Sequence, residues 1–379
     1  MELQPVEVMH ILCMASFFVT MKPFKTYEEQ IEIMRSRNLL PPLSKPKESQ
    51  VPEFMVINRP CKVMIPVDLN QIRKEALSGC DEYVKEILQT YGYYNVINQY
   101  NKPFLNKDGT YKPHIDFFKL FSLQQIDTII KNVIFYPILQ SEQRLKTCIA
   151  YEFARAYGPF EGQDMSQYLE PYFNEDNFNH SLCNRYKQPK FKQLIKRLMK
   201  IYDDSEYKPF KHYKDYHGHI PIWVFINKFT YGELQHFYDV LKIQANISSQ
   251  FKLTPSQLRT AILFLSQVRN DCAHFSGFYN QQYPKIKKDI PLLLAFQTKF
   301  NFTNQSQISN LFLILIIFKY LLPKRNYSRL LKAVDREIFQ ILFDQCIPQI
   351  SEYMKKKLSI KSKEDYKEKL EFLKKYELQ

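Results

Sequence analysis

Glycine is scarce in this chain, at 8 residues in 379. That shortage argues against a turn-rich β architecture, and the abundance of Lys, Leu, Ile, Phe and Tyr favours helices. Tryptophan occurs once, and the 7 cysteines are scattered with nothing that reads as Cys-x-x-Cys. This spacing offers neither a zinc site nor a disulfide framework, and the thiols read as reduced, cytosolic and mostly buried. His212, His217 and His219 cluster without a fourth ligand type beside them, so no metal is assigned. Long hydrophobic runs are missing as well. Residues 8–20 are apolar but too short to span a bilayer. They are preceded by Glu2 and Glu7 rather than by lysine or arginine, so they fail as a secretory signal. They read as an appended helix or as the product of a start codon assigned too early. Residues 311–322 are strongly apolar over only a dozen positions, which predicts a buried helix. A cytoplasmic protein with no membrane partner is expected.

What is abundant is positive charge. The net charge is +14, with an isoelectric point near 9.2, which suits a polyanionic partner. The length is ample for a sizeable core and for two or three domains. Thr26 with Glu29 forms a capping box before the apolar Ile31, Ile33 and Met34. Pro41, Pro42 and Pro46 end that helix, and residues 41–66 read as loop with one short strand. Further helices are expected from Asp68 to Gly79 and from Asp81 to Tyr91, the latter stopped by Gly92. Residues 91–113 mix aromatics with Asn, Gln and Lys: a packed loop, or a surface where Tyr93, Tyr94 and Lys102 meet unpaired RNA bases. Residues 115–157 are continuously helical in pattern, with Pro137 marking a kink or break. Residues 158–190 read as an insertion or mobile loop. A basic helix over 190–201 carries Lys192, Lys196, Arg197 and Lys200, either a solvated face or a phosphate track. Trp223 reads as a core anchor leading into a helical stretch over 225–241. The tail is lysine-rich with Leu and Tyr at helical spacing, either a terminal RNA-gripping helix or a soluble end.

One stretch carries chemistry. Thr254, Pro255 and Gln257 give a cap, a first-turn proline and a capping box. Leu258, Ile262, Leu265 and Cys272 form one apolar stripe, and Gly277 is expected to end the helix. Arg269 falls in phase with that stripe, so a cation is aimed at the packed face and needs a partner. Asp127 or Glu142 can pair with it across the bundle, or Glu142 can instead pair with Lys146 one turn on. Asn270 and His274 share a neighbouring face. His274 stands about 140° round from Arg269 on an ideal helix. Both can touch one phosphate only where the helix ends or a second subunit approaches. Arg325-Asn326 repeats the first pair with no histidine behind it.

The segment Arg269-Asn-Asp-Cys-Ala-His274 resembles the Arg-x4–6-His signature of HEPN domains, many of which are metal-independent ribonucleases. Its surroundings resemble the Abi-like (AbiD/AbiF) abortive-infection family. The matching pieces run in order through Lys22-Pro-Phe, Tyr27-Glu-Glu-Gln-Ile, Tyr93-Tyr94, Pro103-Phe104 and Ile126-Asp127. They continue through Ser141-Glu142 to Lys146, His212-Tyr213, Pro221-Ile-Trp223 and Phe229-Thr-Tyr-Gly-Glu. The resemblance covers roughly residues 22–280. Where the family has Ile-Glu-x-x-x-Arg this chain has Ser141-Glu142-x-x-x-Lys146, so the charge is kept and the planar fork is lost.

The resemblance implies an all-α protein. Its parts would be an appended segment 1–21, an N-terminal helical subdomain 22–113, a HEPN-type helical bundle 114–285 and a helical C-terminal extension 286–379. It implies a cofactor-free endoribonuclease toxin of phage defence or of a toxin–antitoxin pair. Arg269, Asn270 and His274 would be catalytic, with Glu142, Lys146 and Asp127 in support. It also implies a homodimer with a composite site and a small noncoding RNA as a further partner. A non-catalytic RNA-binding module is the rival expectation.

Overall fold

The computed structural model describes residues 24–40, 80–158, 171–178, 189–204, 206–274, 276–345 and 348–378. The expected segment 1–21, the strand within 41–66, the helix from Asp68 and most of the 158–190 insertion lie outside the described residues. What is described is all-α: among these residues there is no strand, only isolated bridges at Leu105–Tyr111 and Phe178–Leu241.

The organising element is α3, Phe117–Tyr157, which follows α1 (Tyr27–Ser36) and α2 (Cys80–Tyr91). The Asp116 side chain caps α3 by accepting from the Lys119 amide. The helix holds 41 residues and continues through Pro137, so it spans about 60 Å. Phe117, Phe118, Leu120, Phe121 and Leu123 are all buried although they face different directions. The first turns of α3 are therefore internal, with other elements laid around them, whereas Tyr136 and Tyr151 further along are exposed. The capping box at Thr26 and Glu29 is present in α1, and Arg35 pairs with Asp81 to join α1 to α2. Gly92 closes α2 at a φ of 79°, where a side chain would be strained.

After α3 come α4 (Pro189–Tyr202), α5 (Lys208–His217), α6 (Ile222–Phe225) and α7 (Tyr231–Val240). The helical stretch expected over 225–241 is two helices. Thr230 accepts from the Glu233 amide and Glu233 reaches back to Thr230, a capping box that restarts the chain at α7. Next are α8 (Gln244–Ser249) and α9 (Pro255–Ala273). Gln250, just before α9, donates to Glu152 near the end of α3, while Tyr279, beyond α9, donates to Asp127 near its start. So α9 runs antiparallel to α3.

The C-terminal part comprises α10 (Pro291–Lys299), α11 (Asn310–Leu321), α12 (Lys324–Phe339), α13 (Pro348–Lys357) and α14 (Lys363–Lys375). Both α11 and α12 pack on α3. Residues 311–318 of α11 are all buried, as the apolar run predicts. No described helix is long and apolar enough to cross a membrane. One apolar cluster runs from Ile31 to Leu373, and it crosses the expected divisions at 113/114 and 285/286.

Candidate functional site

The cap predicted for α9 is present. Thr254 accepts from the Gln257 amide at 3.3 Å and donates its own amide to Gln257 at 2.9 Å. Leu258, Ile262, Leu265 and Val268 are buried, while Cys272 is half-buried. Burial pushes the Cys272 thiol up to about 12, so it is an inert thiol rather than a nucleophile.

Arg269 follows Val268 and is half-buried. Its Nε is buried and has no hydrogen-bond partner among the described residues. Asn270 and His274 are exposed. The helix ends at Ala273, with His274 as the C-cap residue at φ −105° and ψ 17°. That is earlier than Gly277, the expected terminator. The cause lies on α3. Asp127, fully buried, accepts from the Phe278 amide at 2.9 Å, the Tyr279 amide at 3.1 Å and the Tyr100 hydroxyl at 3.1 Å. Lys131 lies 3.4 Å from Asp127 and donates to the Ser276 carbonyl at 3.1 Å. Burial pushes the Asp127 carboxyl up, and Lys131 with these donors opposes it. From the other side, Asn310 donates to the Phe278 and Gln281 carbonyls, each at 3.0 Å. The chain is thus pulled off the helix axis immediately after His274.

Neither carboxylate expected to pair with Arg269 is joined to it among the described residues. Asp127 serves the loop, and Glu142 pairs with Lys146 at 2.9 Å. The antiparallel run explains this. The end of α9 meets residues 127–131, and Glu142 stands eleven residues, about 16 Å, further along α3. The Glu142 Oε2 is itself buried without a hydrogen-bond partner among the described residues. Tyr100, Lys131 and Asn310 were not expected at the site. Lys131 had a signal, four residues after Asp127 on one helix; Asn310 had none.

The RNA-contact candidates divide. Tyr94 is 66% exposed and Lys102 is exposed, whereas Tyr93 is half-buried. Tyr100, Phe104 and Tyr111 of the same stretch are core residues. On α4, Lys192, Lys196 and Lys200 are exposed and stand four apart on one face. Arg197 differs, because it pairs with Glu233, the capping-box residue of α7. If this face is a phosphate track, reversing Lys192, Lys196 and Lys200 to Glu together is expected to weaken binding to RNA and flatten its salt dependence by about 2 in log–log slope. Anisotropy titrations between low and moderate salt check this, and an unchanged slope would return the stripe to a solvated face. Trp223, expected as a core anchor, is 50% exposed. Its neighbours Ile222 and Phe225 take the core side of the single turn α6. Trp223 instead lines a groove of about 390 Å³ with Tyr151 and Lys146.

A family model described as "Abi-like protein" matches residues 86–280, more than half of the chain and all of the residues from Asp127 to His274. No curated protein and no solved structure matches the chain. The chain therefore belongs to the Abi-like protein family, which points to a part in abortive infection, a phage-defence response.

Proposed function

We propose that this protein is a metal-independent endoribonuclease of the HEPN type, of the AbiD/AbiF kind, with Arg269, Asn270 and His274 as its site. The observation that carries the reading is Arg269 itself. Its Nε is buried without a partner among the described residues, at the end of a helix whose cap residue is the exposed His274. An unpaired buried donor costs free energy, and an incoming phosphate oxygen would supply the missing acceptor.

The chemistry follows from these groups. The substrate's 2′-hydroxyl attacks the adjacent phosphorus and the 5′-oxygen leaves. One proton is taken from the nucleophile and one is given to the leaving oxygen, work that a positioned imidazole can do. The guanidinium stabilises the charge that develops on the phosphoryl oxygens. The products carry a 2′,3′-cyclic phosphate and a 5′-hydroxyl. Each chain has one such histidine, so a homodimer would supply base and acid from two copies. The exposed lysines of α4 support a second reading, in which the protein holds a small noncoding RNA without cutting it.

Mixing experiments test the composite site. Adding excess His274→Ala protein to wild type is expected to depress cleavage more than dilution does, because mixed dimers lack one proton-transfer group. Activity is expected to persist in EDTA and to track dimer concentration. A fully active monomer would sink the dimer while leaving the nuclease, and loss of cleavage in EDTA would sink the metal-free mechanism.

A further inference from the structure

A second pocket opens where the loop after His274 meets the C-terminal helices. Its volume is about 700 Å³, room for a nucleotide-sized group. Most of its lining, including Gln307, Ser309, Tyr353, Lys356 and Lys357, lies outside the residues matched to the family.

One wall is the N-terminus of α11, a 12-residue helix. Ser309 occupies the N-cap position, yet its side chain makes no capping bond. The residue is 8% exposed, and its hydroxyl is buried without a hydrogen-bond partner among the described residues. An N-cap serine ordinarily accepts from an amide of the first turn. Here the hydroxyl is left able to donate, the first-turn amides are left uncapped by it, and the helix dipole adds partial positive charge at the same point. Lys356 and Lys357 stand exposed at the end of α13 and line the same pocket. None of its lining residues is acidic. Ser309 with its unpartnered hydroxyl, the first residue of α11 and two lysines line one pocket, and together they suit a phosphate.

The pocket is mechanically joined to the proposed site. Asn310, the first residue of α11, holds the carbonyls of Phe278 and Gln281. Tyr279 lines the pocket and stands five residues after His274, so the two are at most about 17 Å apart along the chain. A single RNA strand can reach both. We propose that this pocket is a phosphate subsite for the backbone of the RNA bound at Arg269 and His274, a few nucleotides from the scissile bond. This rests on the reading that the protein's partner is RNA, but it does not require cleavage.

The test is a binding measurement in a His274→Ala background, using a 5′-fluorescein-labelled single-stranded RNA of mixed sequence and the full chain. Ser309→Asp puts a carboxylate where the phosphate should sit, while Asp remains a good N-cap and suits the dipole. The dissociation constant is expected to rise about tenfold or more, with the thermal midpoint unchanged or higher. Lys356→Ala with Lys357→Ala should weaken binding comparably, and Ser309→Ala by less. Unchanged RNA affinity in Ser309→Asp overturns the proposal, and so does weakening by the lysine pair alone, which would be general surface charge. If the variants bind RNA normally but lose thermal stabilisation by inorganic phosphate or adenosine monophosphate, the pocket serves a free ligand and the RNA assignment is wrong. Failure of the nuclease reading appears separately, as wild-type protein that binds RNA and leaves it intact.

Discussion

Arg269→Ala is expected to lower RNA cleavage by about 100-fold or more without lowering the thermal midpoint. The first half follows from transition-state charge: removing one preorganised donor of this kind costs about 10²–10³ in rate. The second half follows from the structure. Among the described residues no ion pair joins Arg269 to Asp127 or Glu142, and its Nε is buried with no acceptor. A buried donor left unmatched costs about 1–3 kcal/mol, so Arg269→Met, which keeps the apolar stem, should hold or raise stability. Arg269→Lys should not restore the rate, because an ammonium lacks the two-pronged geometry that meets phosphate oxygens. His274→Ala is expected to fall by about 10²–10⁴, the usual worth of a positioned acid or base. On the proposed function the wild-type protein should slow growth when expressed alone, and both alanine variants should relieve it. The measurements are initial rates on a labelled RNA, melting curves and growth at matched expression. Equal toxicity from all three proteins would end the catalytic reading. An Arg269→Ala protein that melts early would make the arginine a structural residue.

What could be read from the sequence was local. The start of α9 lies in four consecutive residues, Thr254 to Gln257, and the cap forms as those residues dictate. The caps of α1 and the stop at Gly92 were legible for the same reason. The α7 capping box is equally local, in Thr230-Tyr-Gly-Glu233, but the apolar pattern runs through it and hides the break. The long α3 and the buried α11 were legible because apolar residues recur without interruption. Pairing across the fold was not legible. That Asp127 serves backbone amides at 278 and 279, rather than Arg269, depends on the offset between two antiparallel helices. The orientation of Trp223 turns on which side of a single helical turn meets the core. The early end of α9 is imposed by contacts from residues 127, 131 and 310, far away in sequence.

Those contacts make Asp127 the residue whose loss should cost the most stability near the site. Asp127→Ala removes the acceptor for two buried amides and the Tyr100 hydroxyl and leaves Lys131, 3% exposed, without its carboxylate. Breaking a buried pair from one side typically costs about 3–5 kcal/mol, most of it the penalty of the stranded charge. The thermal midpoint should fall by several degrees, and cleavage should fall with it, because the loop leaving His274 loses its anchor. Asp127→Asn should cost less, since one oxygen can still accept from the amides while the new NH₂ faces donors. The partner variant separates charge from anchoring. Asp127→Ala combined with Lys131→Met removes the stranded ammonium, so it should recover part of the stability. It should not recover the activity, because the amides at 278 and 279 remain unheld. Denaturation midpoints give the coupling between the two positions, and cleavage rates on the same preparations give the second readout. If Asp127→Ala melts like wild type, the anchoring role fails. If the double variant regains both stability and cleavage, Asp127 acts only by neutralising Lys131, and the geometry of the helix end is held by Asn310 and the rest of the loop.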